Sequence, residues 1–177
     1  MSKQNEKRMI GDTGYEVRQS MRIGGKEILL AEDMSAENGQ IYLLCNYKER
    51  GIILEYAQAV TSNDYLEIAQ EFAGRISNEA ETIRAEQVAL NLPAELFTAE
   101  HCYPHSYDEN LEGKVITIKA EIFNPEYRRG DNQLVLVTGG FGAHANSRGS
   151  AVFCTHLNNG EHTRFERHQV LGVILIT

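Results

Sequence analysis

Short apolar runs separated by turn residues fill the first third of the chain. Tyr15 to Ile23, Lys26 to Ala31, Gln40 to Asn46 and Gly51 to Tyr56 each read as a strand. A Gly24-Gly25 turn joins the first two, and Asn46-Tyr47-Lys48-Glu49-Arg50-Gly51 surrounds the last connection. This spacing predicts a small antiparallel meander, whose runs Ile28-Leu29-Leu30, Ile41-Tyr42-Leu43-Leu44 and Ile52-Ile53-Leu54 need a cover on one face. The period then changes. Thr61-Ser62-Asn63-Asp64 carries the hydroxyl, amide and acid of a helix start, and Tyr65, Ala69, Phe72, Ile76, Ala80 and Ile83 repeat every three or four residues. A long helix over 62–91 is expected, more polar beyond Ser77 and stopped by Pro93, which cannot continue the hydrogen-bond ladder and restricts Leu92.

After Pro93 the alternation returns to a period of two. Val115 to Phe123 sets Ile116, Ile118, Ala120 and Ile122 against Thr117, Lys119 and Glu121, and Asn124-Pro125 ends it. Gln133 to Thr138, Ser150 to Leu157, an Asn159-Gly160 hairpin turn, Thr163 to Arg167 and Val173 to Ile176 complete five short strands. The expected fold class is α+β. Residues 1–14 are expected to fray, 15–92 to form the meander packed on its long helix, and 93–177 to form a small β-barrel of SH3-like or OB-like type that hides its strand edges by closure.

Composition narrows the function classes. In 177 residues no apolar run reaches the roughly 20 needed for a membrane span, and Met1 to Arg8 lacks the apolar segment of a signal peptide. A soluble, cytoplasmic protein without membrane partners is expected. Cys45, Cys102 and Cys154 are odd in number and scattered, which favours free thiols over a disulfide framework. The net charge of -8 opposes non-specific binding to nucleic acid. It is uneven: residues 1–92 carry 10 Lys and Arg against 15 Asp and Glu, whereas residues 114–177 carry 7 against 5.

The passage from Leu134-Val135-Leu136-Val137 through Thr138-Gly139-Gly140-Phe141-Gly142-Ala143-His144-Ala145 matches a G-x-G-x-x-A pattern, with Glu161 at the distance of a ribose-binding acid. The dinucleotide motif requires a helix after the glycines. Here Asn146-Ser147-Arg148-Gly149 leads into another strand, so a β-to-β corner is the expected reading, and no Walker lysine is present. Cys102, His105, Cys154 and His156 invite a zinc reading, yet they lack the paired short spacings of a structural site. No histidine is spaced to activate Cys102 or Cys154, and Ser147 and Ser150 lack the G-x-S-x-G elbow. No catalytic residue and no cofactor is predicted.

The candidate binding residues are Arg128, Arg129, Arg148, Arg164 and Arg167, with Phe141 and Phe165 and nearby Tyr127. Converging on adjacent loops, they would present guanidinium forks to phosphate and rings to bases. The competing arrangement is scattered surface arginines paired with Glu126, Asp131 and Glu166.

The block Tyr127-Arg128-Arg129-Gly130-Asp131-Asn132-Gln133 through Phe141-Gly142, Asn146-Ser147-Arg148-Gly149-Ser150 and Arg164-Phe165-Glu166-Arg167 resembles uncharacterised proteins of gut-bacterial conjugative elements. Tyr103-Pro104-His105-Ser106-Tyr107 and Asp64-Tyr65-Leu66-Glu67-Ile68 are similar to theirs as well. That resemblance implies a context, a bacterial mobile element, and no catalytic residues. The first expectation is therefore a non-enzymatic protein-interaction module with another protein as partner. The second is a nucleic-acid-binding accessory factor using the arginine and aromatic face. A third is an acidic DNA mimic of antirestriction type, drawing on Asp64, Glu67, Glu71, Glu79, Glu81 and Glu86 against Arg75 and Arg84.

Overall fold

The structure, a computed structural model, describes residues 7–37, 39–90 and 93–175. The chain is α+β and divides into two compact units, Met1–Gln87 and Val88–Thr177. The division falls inside the long helix, upstream of Pro93.

In the first unit β1 (Glu16–Ile23), β2 (Lys26–Glu32), β3 (Tyr42–Arg50) and β4 (Ile53–Ser62) form one antiparallel sheet in chain order. The last two strands are longer than their apolar runs, because Asn46 to Arg50 continues the ladder and Arg50 pairs with Ile53 across a tight turn at Gly51-Ile52. Helix α1 (Tyr65–Leu90) follows. Asp64 caps it, its Oδ1 accepting from the backbone N–H of Leu66 at 2.8 Å and of Glu67 at 3.4 Å. Ile68 and Ile83 are its two buried residues, whereas Tyr65, on the first turn, is exposed and meets Tyr42 edge-on.

Strand β2 is buried on both faces, Ile28 and Leu30 on one and Leu29 and Ala31 on the other. The second face has its own cover. Residues 7–14, expected to fray, fold back along the sheet: the N–H of Val17 donates to the Arg8 carbonyl at 2.8 Å, and Ile10 packs with Leu29, Ala31 and Cys45. Arg8 grips Glu27 with two bonds of 2.8 and 2.9 Å while lying over the Tyr47 ring. The physical reason is an apolar sheet face that would otherwise meet water, closed by Ile10 and Tyr15. The stretch 1–6 of that expectation lies outside the described residues.

In the second unit the strands are β5 (Cys102–Pro104), β6 (Val115–Ile118), β7 (Leu134–Gly139), β8 (Ala151–His156), β9 (His162–Glu166) and β10 (Val170–Ile174), with a one-turn helix α2 (Gly130–Gln133) before β7. They form one antiparallel sheet in the order β5-β10-β6-β7-β8-β9. Among the described residues no pairing joins β9 to β5, so the sheet keeps two edges where a closed barrel was expected. Ile116, Ile118, Val135, Val137, Val152, Cys154, Phe165 and Val170, from five strands, nevertheless meet in one cluster. The strand expected to reach Phe123 stops at Ile118, opposite Val170, because β10 begins there and offers no partner beyond. Gln133 is fully buried, joining the Phe97 N–H and carbonyl to the Ile118 carbonyl through three side-chain bonds.

Candidate functional site

The glycine-rich passage is a packed corner between β7 and β8. Gly140 has φ 99°, and a Cβ there would lie 2.4 Å from the Ala151 carbonyl oxygen; at Gly142 a Cβ would lie 2.2 Å from the Ser150 carbonyl oxygen. Only a single 3₁₀ turn, Phe141–Ala143, follows the first glycines. The glycines serve chain against chain, and the motif has none of the helix that a pyrophosphate site needs.

Arg167, one of the predicted binding residues, is the bolt of this corner. It is 2% exposed. Its two terminal nitrogens donate to the carbonyls of Gly142 (2.8 Å), Ala143 (3.3 Å), Ser106 (2.6 Å) and Glu109 (2.7 Å), and its own carbonyl meets His105 Nε2 at 3.2 Å. Its guanidinium also lies over the Tyr107 ring. Phe165 is buried too, between Phe123 and His156 on the inner face opposite Val152. Neither side chain is presented to a ligand.

The remaining candidates are spread over different tasks. Arg129 is half-buried against the buried carboxylate of Asp131 at 3.2 Å. Arg128 donates to the Phe123 carbonyl at 3.0 Å. Arg164 pairs with Glu166 along β9, opposite Phe153. Arg148 is exposed and has no ion pair among the described residues, and Phe141, 77% exposed, has its Cβ against neighbouring Gly149. The structure thus joins Phe141 and Arg148 in one corner. Of the acids on α1, Asp64 caps the helix, Glu67 accepts from Ser62 Oγ, Glu71 pairs with Arg75, and Glu79 pairs with Lys26. Most of that acidity is engaged within its own unit.

Cys102 and Cys154 sit on strands separated by three others in the sheet, and among the described residues no three His, Cys, Asp or Glu side chains are grouped to hold a metal ion. Burial pushes the Cys154 thiol up to about 12, far from a thiolate at neutral pH. Burial also lowers the pKa of His105, helped by the charge of Arg167, and lowers that of His156 against the opposing pull of Glu161. Both imidazoles are thus held neutral, with their Nδ1 atoms buried and unbonded. The unfolded chain binds protons at these sites near 6.5 while the folded chain does not, so their contribution to stability is present above that value and falls as pH drops through it. The urea midpoint of the second unit's transition is expected to fall between about pH 7.5 and about pH 5.5, and a His105→Gln/His156→Gln variant to flatten that dependence.

Strand β4 lies outside the residues that the sequence singles out. Every residue from Ile53 to Thr61 is exposed, including Ile53, Leu54, Tyr56 and Val60, and Ile52 at the hairpin tip is 99% exposed. It is the last strand of its sheet, bonded to β3 alone. A bulge at Gln58, with φ 52°, bends it midway. The bulge is held from α1: Arg75 donates to the Gln58 carbonyl at 2.8 Å, and Asn46 Nδ2 donates to Gln58 Oε1 at 2.7 Å. An apolar run of this kind reads as buried in the sequence; its single charge, Glu55, in ten residues is the signal that set it apart from the other edges.

Compared with protein families, curated proteins and solved structures, the chain has no match. No described helix is long and apolar enough to cross a membrane.

Proposed function

We propose that this chain is a protein-interaction module that receives an extended segment of a partner along β4. One contrast carries the reading. Exposed edges are normally blunted by charge, shortness or cover. Strand β1 carries Glu16, Arg18 and Arg22, β9 carries Arg164 and Glu166, and β5 has three residues, whereas β4 offers ten residues with one charge. An edge of that length and polarity is suited to β-strand addition, in which main-chain bonds supply affinity and side-chain pockets supply selectivity.

The strand order of the second unit supports the SH3-like alternative over the OB-like one. Strands β6 to β9 form a simple meander, a 3₁₀ turn at Arg167–Gln169 follows, and β10 returns beside β6; an OB-fold is a Greek-key barrel. The resemblance to proteins of conjugative elements favours a partner from the same mobile element. The nucleic-acid reading loses two of its seven side chains to the core and most of its free guanidiniums to internal bonds.

The test is direct. A fluorescent peptide of about ten alternating valines and threonines should bind the full chain with a Kd on the order of 10–100 µM. Methylating its backbone nitrogens along one edge, or introducing Val60→Lys in the protein, should abolish binding. Binding that survives both changes contradicts strand addition.

A further inference from the structure

Two cavities adjoin β4 on the sheet face that carries α1, and they differ in charge. One, of about 200 Å³, is lined by Lys26, Asn46, Lys48, Glu55, Ala57 and Gln58. The other, of about 330 Å³, is lined by Val60, Ser62, Glu67, Ile68, Gln70 and Glu71. The register shows that they share a face. Lys48 pairs with Glu55, Asn46 with Ala57, Leu44 with Val60 and Tyr42 with Ser62, so alternate positions of β3 run from the first cavity to the second despite the bulge. Counted along β3, the centres of the cavities are about four residues, or roughly 13 Å, apart.

We infer that the occupant of this edge is a heterologous strand with a basic side chain at one end and an acidic one about four residues further on, running antiparallel to β4. This rests on the strand-addition reading above and specifies its partner. At the first cavity Lys26 is committed to Glu79, and Glu55 lies 3.9 Å from Arg50, whereas Lys48 has no ion pair among the described residues. The Gln58 side chain, whose oxygen is taken by Asn46, still has its amide hydrogens. These donors suit a carboxylate. At the second cavity Glu67 accepts one bond, from Ser62, and Glu71 is half exposed beside Arg75. Two carboxylates against one guanidinium leave a net negative charge there, which suits an ammonium or guanidinium.

Side chains four apart on a strand point to the same face, so one extended segment reaches both cavities. An antiparallel strand meets the Val60–Ser62 end first, which sets the order base before acid. Every pairing already in this sheet is antiparallel. A second copy pairing through its own β4 does not fit: four residues ahead of Glu55, the one charge of that strand, stands Gly51. Complementary charges at two fixed points also select one direction and register, which a smooth apolar edge would leave open.

The experiment compares three valine–threonine peptides on the full chain by fluorescence anisotropy at low salt: neutral, lysine followed about four residues later by glutamate, and the reverse. The first charged peptide should bind about tenfold tighter than the neutral one, and the reverse peptide more weakly. Lys48→Gln and Glu67→Gln, both conservative at partly or fully exposed positions, should each shrink the ratio between the affinities of the two charge orders. The gain should also shrink as salt rises. Equal affinities for the two charge orders, with the neutral peptide still bound, overturn the charge assignment and leave strand addition standing. Failure of all three peptides to bind overturns both.

Discussion

Replacing Arg167 by methionine should destabilise the second unit by about 3 kcal/mol, lowering its melting temperature by on the order of 15 °C. Methionine approximates the stem but has no donors. The carbonyls of Gly142, Ala143, Ser106 and Glu109 then lose their partner together, and two chain segments, 106–109 and 142–143, lose the group that holds them to the end of β9. Four charge-assisted bonds would amount to more than 3 kcal/mol if each were fully lost. Part is recovered, because the guanidinium is itself buried, which lowers its pKa, and its Nε is unbonded. Arg167→Lys separates charge from shape. A single ammonium cannot reach four carbonyls set around a planar fork, so lysine should recover less than half of the loss. Thermal melts of the three proteins measure this, and a lysine variant as stable as the wild type would show that the positive charge alone is needed.

Gly140→Ala should cost the second unit about 3–4 kcal/mol, from two additive causes. At φ 99° an L-residue is strained by about 1–3 kcal/mol, and the added Cβ would sit 2.4 Å from the Ala151 carbonyl oxygen, a backbone atom that cannot move without shifting β8. Gly160→Ala supplies the control. It also has positive φ, 74°, yet nothing lies within 4 Å of its Cβ position, so only the conformational cost of about 1 kcal/mol is expected. Urea denaturation of both variants tests the difference. Equal losses would mean that the corner has room, and would reopen it as a place where a ligand approaches the backbone.

Local signals are legible in the sequence, and long-range ones are not. The helix was legible because Asp64, Pro93 and the repeat from Ala69 to Ile83 are local signals, each readable within a few turns. The four-strand meander was legible for the same reason. Strand β5 was not, since Cys102-Tyr103-Pro104 is too short to alternate and is recruited only by the return of β10. The role of Arg167 was hidden because its partners are backbone carbonyls some 24 to 61 residues away, with no side-chain type to mark them. Phe165 carries a local signal, the apolar position in the alternating Arg164-Phe165-Glu166, and the register sets it against Val152 and therefore inside. The opposite error concerns β4. Its apolar run suggests burial, and only the end position of β4 in the sheet reveals that the run faces solvent.

Amide hydrogen exchange on the full chain, with and without saturating neutral valine–threonine peptide, tests strand addition most directly. The account predicts that backbone amides between Ile53 and Ser62 slow by at least about tenfold when the peptide is bound, while those of β1 and β9 keep their rates. Unchanged exchange in β4 with the peptide bound, or equal slowing in β1, β4 and β9, would contradict it.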